Sequence, residues 1–234
     1  MKRLILAVTG LLVFTMLNAQ SLEEIVKNYS AANKLDKLAG ISTIKITAKM
    51  SMMGMEMPME LWMKNPNKIK TVMKMNDQEI ISVFDGEKGY SINPMAGSSE
   101  PVEMTPEQLK QVLKSNIFQN SMLNYLKDGQ LSLEGEEKVN EKTAFKIKAT
   151  LDGGNIAYMF IDKESYLLVK QSATVNQGGQ TVTVDSYPTN YTETNGVLLP
   201  MKTTASASGM EFTTTFEKVE VNIPMEDSIF KAKK

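Results

Sequence analysis

The sequence contains no histidine and no cysteine. The first absence removes histidine-based triads, the commonest general base and most zinc and iron sites. The second removes thiol catalysis and disulfides, so an exported chain must be held together by its core alone. Arginine is nearly absent, and lysine carries the positive charge. The formal net charge is −1 over 234 residues, which leaves no basic field to hold nucleic acid. No Walker or dinucleotide glycine motif occurs. Acidic residues gather at Glu134, Glu136 and Glu137, but among lysines and turn residues, where a solvated face is expected. The stretch FDGEKGY (84–90) lacks the acids at spacing two that a calcium loop needs, and reads as a β-turn at Asp85-Gly86. Nothing here points to an enzyme, and no cofactor is expected.

One long apolar run is present, Leu4 to Leu17, preceded by Lys2 and Arg3. Its 14 residues fall short of the roughly 20 that span a bilayer. With Leu17-Asn18-Ala19 as the cleavage site, residues 1–19 read as a signal peptide and Gln20 as the mature N-terminus. The mature charge is then 24 − 27 = −3. A lipid-anchored bacterial protein needs a cysteine after its signal, so a free periplasmic protein is expected. At 42% hydrophobic and 23% charged, residues 20–234 suit a single globular domain with a substantial core.

The spacing of Leu22, Ile25, Val26, Tyr29, Ala32 and Leu35 predicts a helix over 21–39, capped by Ser21 with Glu24 and stopped by Gly40. A second helix is expected from Thr105 as N-cap and Pro106 at the first helical position, continuing to Phe118. A short helical piece, MLNYLKDG, ends at Gly129. The rest alternates with period two. Turn signals at Met53-Gly54, Asn76-Asp77, Asn140-Glu141, Asp152-Gly153-Gly154, Gln177-Gly178-Gly179, Asn195-Gly196 and Gly209 divide it into about eleven antiparallel strands. Residues 97–104, with Gly97 and Pro101, read as a loop. A sheet this long must curl, and half-closing around helices is the economical solution.

The unusual feature is methionine. Of 18 in the chain, seven fall within residues 50–63, MSMMGMEMPMELWM. A two-residue turn at Met53-Gly54 pairs Met52 with Met55 and puts both apolar rows on one face of one hairpin. Pro58 cannot donate to a ladder and belongs at an edge, a bulge or an outward gap. Thioethers bind Cu(I). They also make a pliable apolar lining, or ordinary core. Ile44, Ile46 and Leu61 continue the same rows, which favours a hydrophobic surface.

The order of elements adds a resemblance. A leader and an amphipathic helix precede KMSMMGMEMPMELWMKNPNKIK. VFDGEKGYSINP, EMTPEQL, GEEKVNEKTAFKIKAT and MFIDKESYLLVKQ follow, and YPTNYTETNGVLLPMKTT and VEVNIPMEDSIFK close the chain. This resembles the LolA/LolB-like outer-membrane lipoprotein-sorting superfamily, in its branch of uncharacterised exported proteins. The resemblance implies a mostly β, α+β fold: an unclosed antiparallel β-barrel wrapped around two or more helices. It implies a cavity between sheet and helices for acyl chains of lipoproteins or other lipids, and envelope lipoprotein-transport machinery as protein partners. On that reading Ile44, Ile46, Met50, Met52, Met55, Met57, Met59, Leu61 and Met63 line one wall. Leu109, Val112, Leu113, Ile117 and Phe118 cover it. A Met-rich Cu(I)-binding protein and an envelope sensor or structural module are the alternatives.

Overall fold

The computed structural model describes residues 20–114, 118, 122–151, 155–177 and 180–232. The expected leader, Ile117, and parts of two expected turns (152–154 and 178–179) lie outside these residues.

Helix α1 spans Leu22–Ala32, with the Ser21 hydroxyl accepting the Glu24 N–H at 3.2 Å. It is shorter than the periodicity predicts. The Asn33 side-chain amide donates to the Tyr29 carbonyl at 2.8 Å, and Lys34 turns left-handed (φ 54°) before a 3-10 turn over Leu35–Gly40. Capping of an orphan carbonyl by Asn33 breaks a helix that hydrophobic spacing alone would continue. Helix α2 spans Pro106–Lys114. Its start is a reciprocal capping box: Gln108 N–H donates to Thr105 Oγ1 at 3.3 Å, and Thr105 N–H donates to Gln108 Oε1 at 2.9 Å. Helix α3 is short, Met122–Lys127.

The strands are β1 (Thr43–Met52), β2 (Met55–Lys64), β3 (Lys68–Met75), β4 (Gln78–Phe84), β5 (Gly89–Asn93) and β6 (Ser98–Glu103). After the helices come β7 (Leu131–Val139), β8 (Lys142–Thr150), β9 (Ile156–Asp162), β10 (Leu168–Gln177), β11 (Gln180–Thr194), β12 (Val197–Ala207) and β13 (Met210–Val221). They form one 13-stranded sheet in the order β6-β5-β4-β3-β2-β1-β13-β12-β11-β10-β9-β8-β7. Every pairing is antiparallel. The sheet is unclosed: β6 and β7 are its two ends.

One strand feature differs from expectation. Residues 98–103 are a strand, not a loop. β6 is an edge strand, where Pro101 removes a donor that no neighbour needs. β11 runs on through Pro188 to Thr194, but its pairing with β10 covers only Gln180 to Ser186. Pro188 therefore lies where β11 has one partner, β12.

Two apolar clusters hold the helices to the sheet. One packs Ile25 and Val26 of α1 and Met122 of α3 against Phe145, Ile147, Ala149, Ala157, Met159 and Ile161. The other gathers Ile44, Ile46, Ala48, Met63, Ile69, Phe84 and Val197, with Leu109, Val112, Leu113 and Phe118 packed on it. Gly89 lets the chain approach there: a Cβ would meet Met104 Sδ at 2.9 Å and Leu109 Cδ1 at 3.0 Å. Each half of the inner face thus has its own helical cover.

The outer face is lysine-rich. Lys45 and Lys70 flank the Trp62 ring at 5.2 and 5.4 Å from its centroid. The C-terminal segment docks nearby. Met225 and Phe230 pack with Val83 and Trp62, and Asp227 bridges Lys64 and Lys68 at 2.7 Å each.

Those two ammonium groups hold the Asp227 carboxyl at about 2, against an ordinary 3.8. The pairing therefore stabilises docking fully above the ordinary value, and the stabilisation is lost as pH falls through about 4 toward about 2. Trp62 is the single tryptophan and reports on this contact. Its emission should shift to the red between pH 4 and 2, and Asp227→Asn should show the shifted spectrum already at neutral pH. An Asp227→Asn spectrum identical to the parent's at every pH would show that the bridge does not hold the segment.

Candidate functional site

The Met-rich hairpin folds as its sequence dictates. Met53 and Gly54 both have positive φ (51° and 80°), the signature of a type I′ turn. The register is Met52↔Met55, Met50↔Met57, Ala48↔Met59, Ile46↔Leu61 and Ile44↔Met63. Directly opposed residues of an antiparallel pair point to the same face, so both rows share the inner side. Met53 is off the pattern and 79% exposed. Pro58 is exposed opposite Lys49, one residue before β2 begins to pair with β3 at Met59. It occupies an outward gap.

The structure divides the predicted wall in two. Ile44, Ile46, Met59, Leu61 and Met63 pack with Leu109, Val112, Leu113 and Phe118 as one helix-on-sheet cluster. Met50, Met52, Met55 and Met57 continue the rows toward the turn but belong to none of the four apolar clusters found among the described residues. Met57 is nonetheless buried, at 3% exposed, whereas Met55 is 49% exposed. Ile117 lies outside the described residues.

Strand pairing extends this face across the sheet. From β7 to β2, directly opposed partners form a single row: Leu133, Ile147, Met159, Gln171, Ser186, Ala205, Phe212, Met52 and Met55. A parallel row runs Ala149, Ala157, Ala173, Val184, Ala207 and Met210, and a third Pro188, Thr203, Thr214, Met50 and Met57. On β10 to β12 these three rows carry Gln171, Ala173, Val184, Ser186, Pro188, Thr203, Ala205 and Ala207, while Leu168, Val197 and Leu199 of the same strands join the helix-covered clusters. The helix-covered halves on either side carry Ile, Phe and Met. Of the row residues, Ala173 packs with the α1 and α3 cluster, whereas Val184, Ala205, Ala207 and Phe212 belong to none of the four apolar clusters among the described residues. This strip of the inner face, the trough, runs between the thioethers and Phe212 at one side and Met159 and Ile147 of the α1 and α3 cluster at the other.

No local pattern marks Phe212, Ala205, Ser186 or Ala207 as members of this face. Each sits on an ordinary alternating strand. Only the pairing of β1 with β13, distant in the chain, sets Phe212 opposite Met52 and joins β12 and β11 to the hairpin's face.

Among the described residues, no titratable side chain stands in these three rows. The buried phenols of Tyr29 and Tyr191 are pushed up, chiefly by burial, and stay neutral. Asp162, 3% exposed, is raised by burial. The Ser165 and Glu164 N–H groups and the Lys142 ammonium outweigh this and hold it below its usual range. It pins the turn from β9 to β10. Asp85 likewise caps the Glu87 and Lys88 N–H groups at the expected turn, and Glu136 and Glu137 pair with Lys163 and Lys146 at the surface. A polar cleft of about 380 Å³, lined by Lys68, Asp85, Gly86, Glu87, Asp227 and Lys231, lies under the C-terminal segment and touches none of the methionines. Among the described residues, no group of three or more Asp or Glu side chains could hold a metal ion. Among them, too, no helix is long and apolar enough to cross a membrane.

The architecture is the LolA-like fold: a mostly β, unclosed antiparallel barrel with helices on its inner face. The chain is similar to a LolA superfamily protein from Nitrosomonas europaea, with 12% identity and a TM-score of 0.61 over 91% of this chain and 98% of that one. It is similar to an outer membrane lipoprotein-sorting protein domain from Vibrio parahaemolyticus, at 11% identity and a TM-score of 0.58, covering 88% and 94%. A DUF1329 family protein from Desulfovibrio piger shares the fold at 13% identity and 0.57, covering 88% and 97%. By sequence, no family model and no curated protein matches.

Proposed function

We propose that this protein is a non-enzymatic carrier or binding protein for the acyl chains of lipoproteins or other lipids in the bacterial periplasm. The observation that carries the reading is the trough. It is a strip of the inner face, carrying four methionines, Phe212 and mostly small side chains, between the two clusters to which the helices are anchored. Likeness of fold to a lipoprotein-sorting domain supports the same reading. Export by a leader over residues 1–19, cleaved before Gln20, completes it, with residues 20–234 acting as one domain.

The energetics suit exchange. Burying a 16-carbon chain from water is worth about 12 kcal/mol at ~0.8 per CH₂. Taking the chain from a bilayer gains almost nothing, because it was already in hydrocarbon. A carrier therefore needs a cavity nearly as good as lipid, so that it can also unload. Unbranched methionine, with three rotatable bonds, gives a surface that adapts to varied chains without gripping one.

Native mass spectrometry with lipid extraction, on protein purified from its own envelope, tests this. Bound lipid or acylated protein is expected, together with saturable uptake of a fluorescent fatty acid. Finding neither would sink the reading.

A further inference from the structure

The four methionines outside the helix-covered cluster have an arrangement that a lipid lining does not require. Met50 opposes Met57, and Met52 opposes Met55. Along each strand the two are separated by one residue. Opposed Cβ atoms lie about 5 Å apart and alternate residues on a strand about 7 Å apart, so the four side chains stem from a quadrangle of roughly 5 by 7 Å. All four are thioethers, on one face, with no aliphatic residue among them. Ile44, Ile46 and Leu61 interrupt the row only further down, inside the helix-covered cluster. At the other side, Met52 opposes Phe212 of β13, which places an aromatic ring beside the group.

We propose that Met50, Met52, Met55 and Met57 form a site for a soft monovalent cation, Cu(I) or Ag(I). Thioether sulfur is a neutral, polarizable donor that selects such ions over Zn(II), Ca(II) or Mg(II). The three torsions of each methionine let sulfurs on a quadrangle of this size converge. The buried Met57 supplies a fixed inner donor, while half-exposed Met55 leaves an approach from solvent at the hairpin end. The Phe212 face can favour the bound charge. A type I′ turn sets the register, and β1 is held by β13 on its other side. Because thioethers carry no proton, such a site binds without competition from acid, unlike one built from thiolate or imidazole.

The test uses the mature chain and Ag(I), the air-stable ion of this class, with Cu(I) under reducing conditions as a second probe. One ion per chain is expected by native mass spectrometry. In protein labelled at the methionine methyl groups with ¹³C, four methyl resonances should move on Ag(I) addition, those of Met50, Met52, Met55 and Met57. Affinity should stay level from about pH 5 to about pH 8, since no ligand titrates. Met57→Leu should weaken binding at least about tenfold, through loss of one donor in a set of four. The fourfold leucine variant should lose it. Leucine keeps size and apolarity, so an unchanged melting temperature confirms that the fold survives. Met53→Leu and Met210→Leu, at exposed positions outside the quadrangle, should bind as the parent does. These readouts use no lipid, which keeps this proposal separate from the carrier reading. Absence of stoichiometric Ag(I) binding, undiminished binding in the fourfold variant, or shifts confined to other methionines would each overturn it.

Discussion

Aspartate at Met50 and Met52 should abolish fatty-acid uptake, whereas leucine at the same two positions should leave it within about threefold of the parent. The two side chains sit on the inner face, opposite Met57 and Met55 and beside Thr214 and Phe212. An acyl chain lying in the trough would take water away from whatever replaces them. A carboxylate stripped of water without a cationic partner costs several kcal/mol. Each 1.4 kcal/mol is tenfold in affinity, so the loss should exceed about a hundredfold. The cationic neighbours of this hairpin, Lys45 and Lys49, alternate onto the other face and are paired there with Glu60, Glu56 and Glu217. They are not placed to rescue an inward aspartate. Both methionines are partly exposed without ligand, so the substitution should cost little fold stability. Titration with a fluorescent fatty acid, with a melting curve on the same sample, checks both halves. Normal uptake by the aspartate variant would remove the hairpin from the cavity wall.

Met63→Ala should destabilise the fold by about 3 kcal/mol, while Met53→Ala should leave it unchanged within about half a kcal/mol. These are methionines of one hairpin, ten residues apart, in opposite environments. Met63 is 0% exposed, directly opposed to Ile44 and Ile69, and belongs to the cluster that α2 covers. Truncation there loses the transfer energy of the removed atoms and leaves a void bounded by two strands and a helix. Met53 is 79% exposed in the turn and buries almost nothing. For a chain of this size the difference corresponds to a fall in melting temperature of about 6 to 10 °C, measured by calorimetry. Equal melting temperatures would mean that α2 does not close over Met63.

The two predictions separate uses of methionine that composition cannot separate. The cluster of seven within residues 50–63 reads in the sequence as one feature. In the fold, Met59 and Met63 are core, Met53 is turn, and Met50, Met52, Met55 and Met57 face the trough.

Local chemistry settled much of this in advance. The Met53-Gly54 turn dictates the hairpin register, because a two-residue loop leaves no freedom to slip. Thr105 and Gln108 cap α2, and Pro106 begins it. Asp85 makes its turn through its own carboxylate. The places where local reading failed have local causes that depend on distant partners. Pro101 is tolerated in β6 because that strand is an edge, and edge position is a property of the whole sheet. Asn33 ends α1 early, and Lys34 beyond it pairs with Glu193 on a strand remote in sequence.

By itself the sequence determined the hairpin, the caps, the antiparallel character and the apolar inner face, since each rests on residues within a few positions of one another. Only the tertiary structure decided which part of that face is filled. α2 reaches Met63 and Met59, and the pairing of β1 with β13 sets Phe212, Ala205 and Ser186 in line with Met52. The periodicity of a strand tells which side a residue faces. What stands across from it depends on pairing between segments far apart in the chain, which no local pattern encodes.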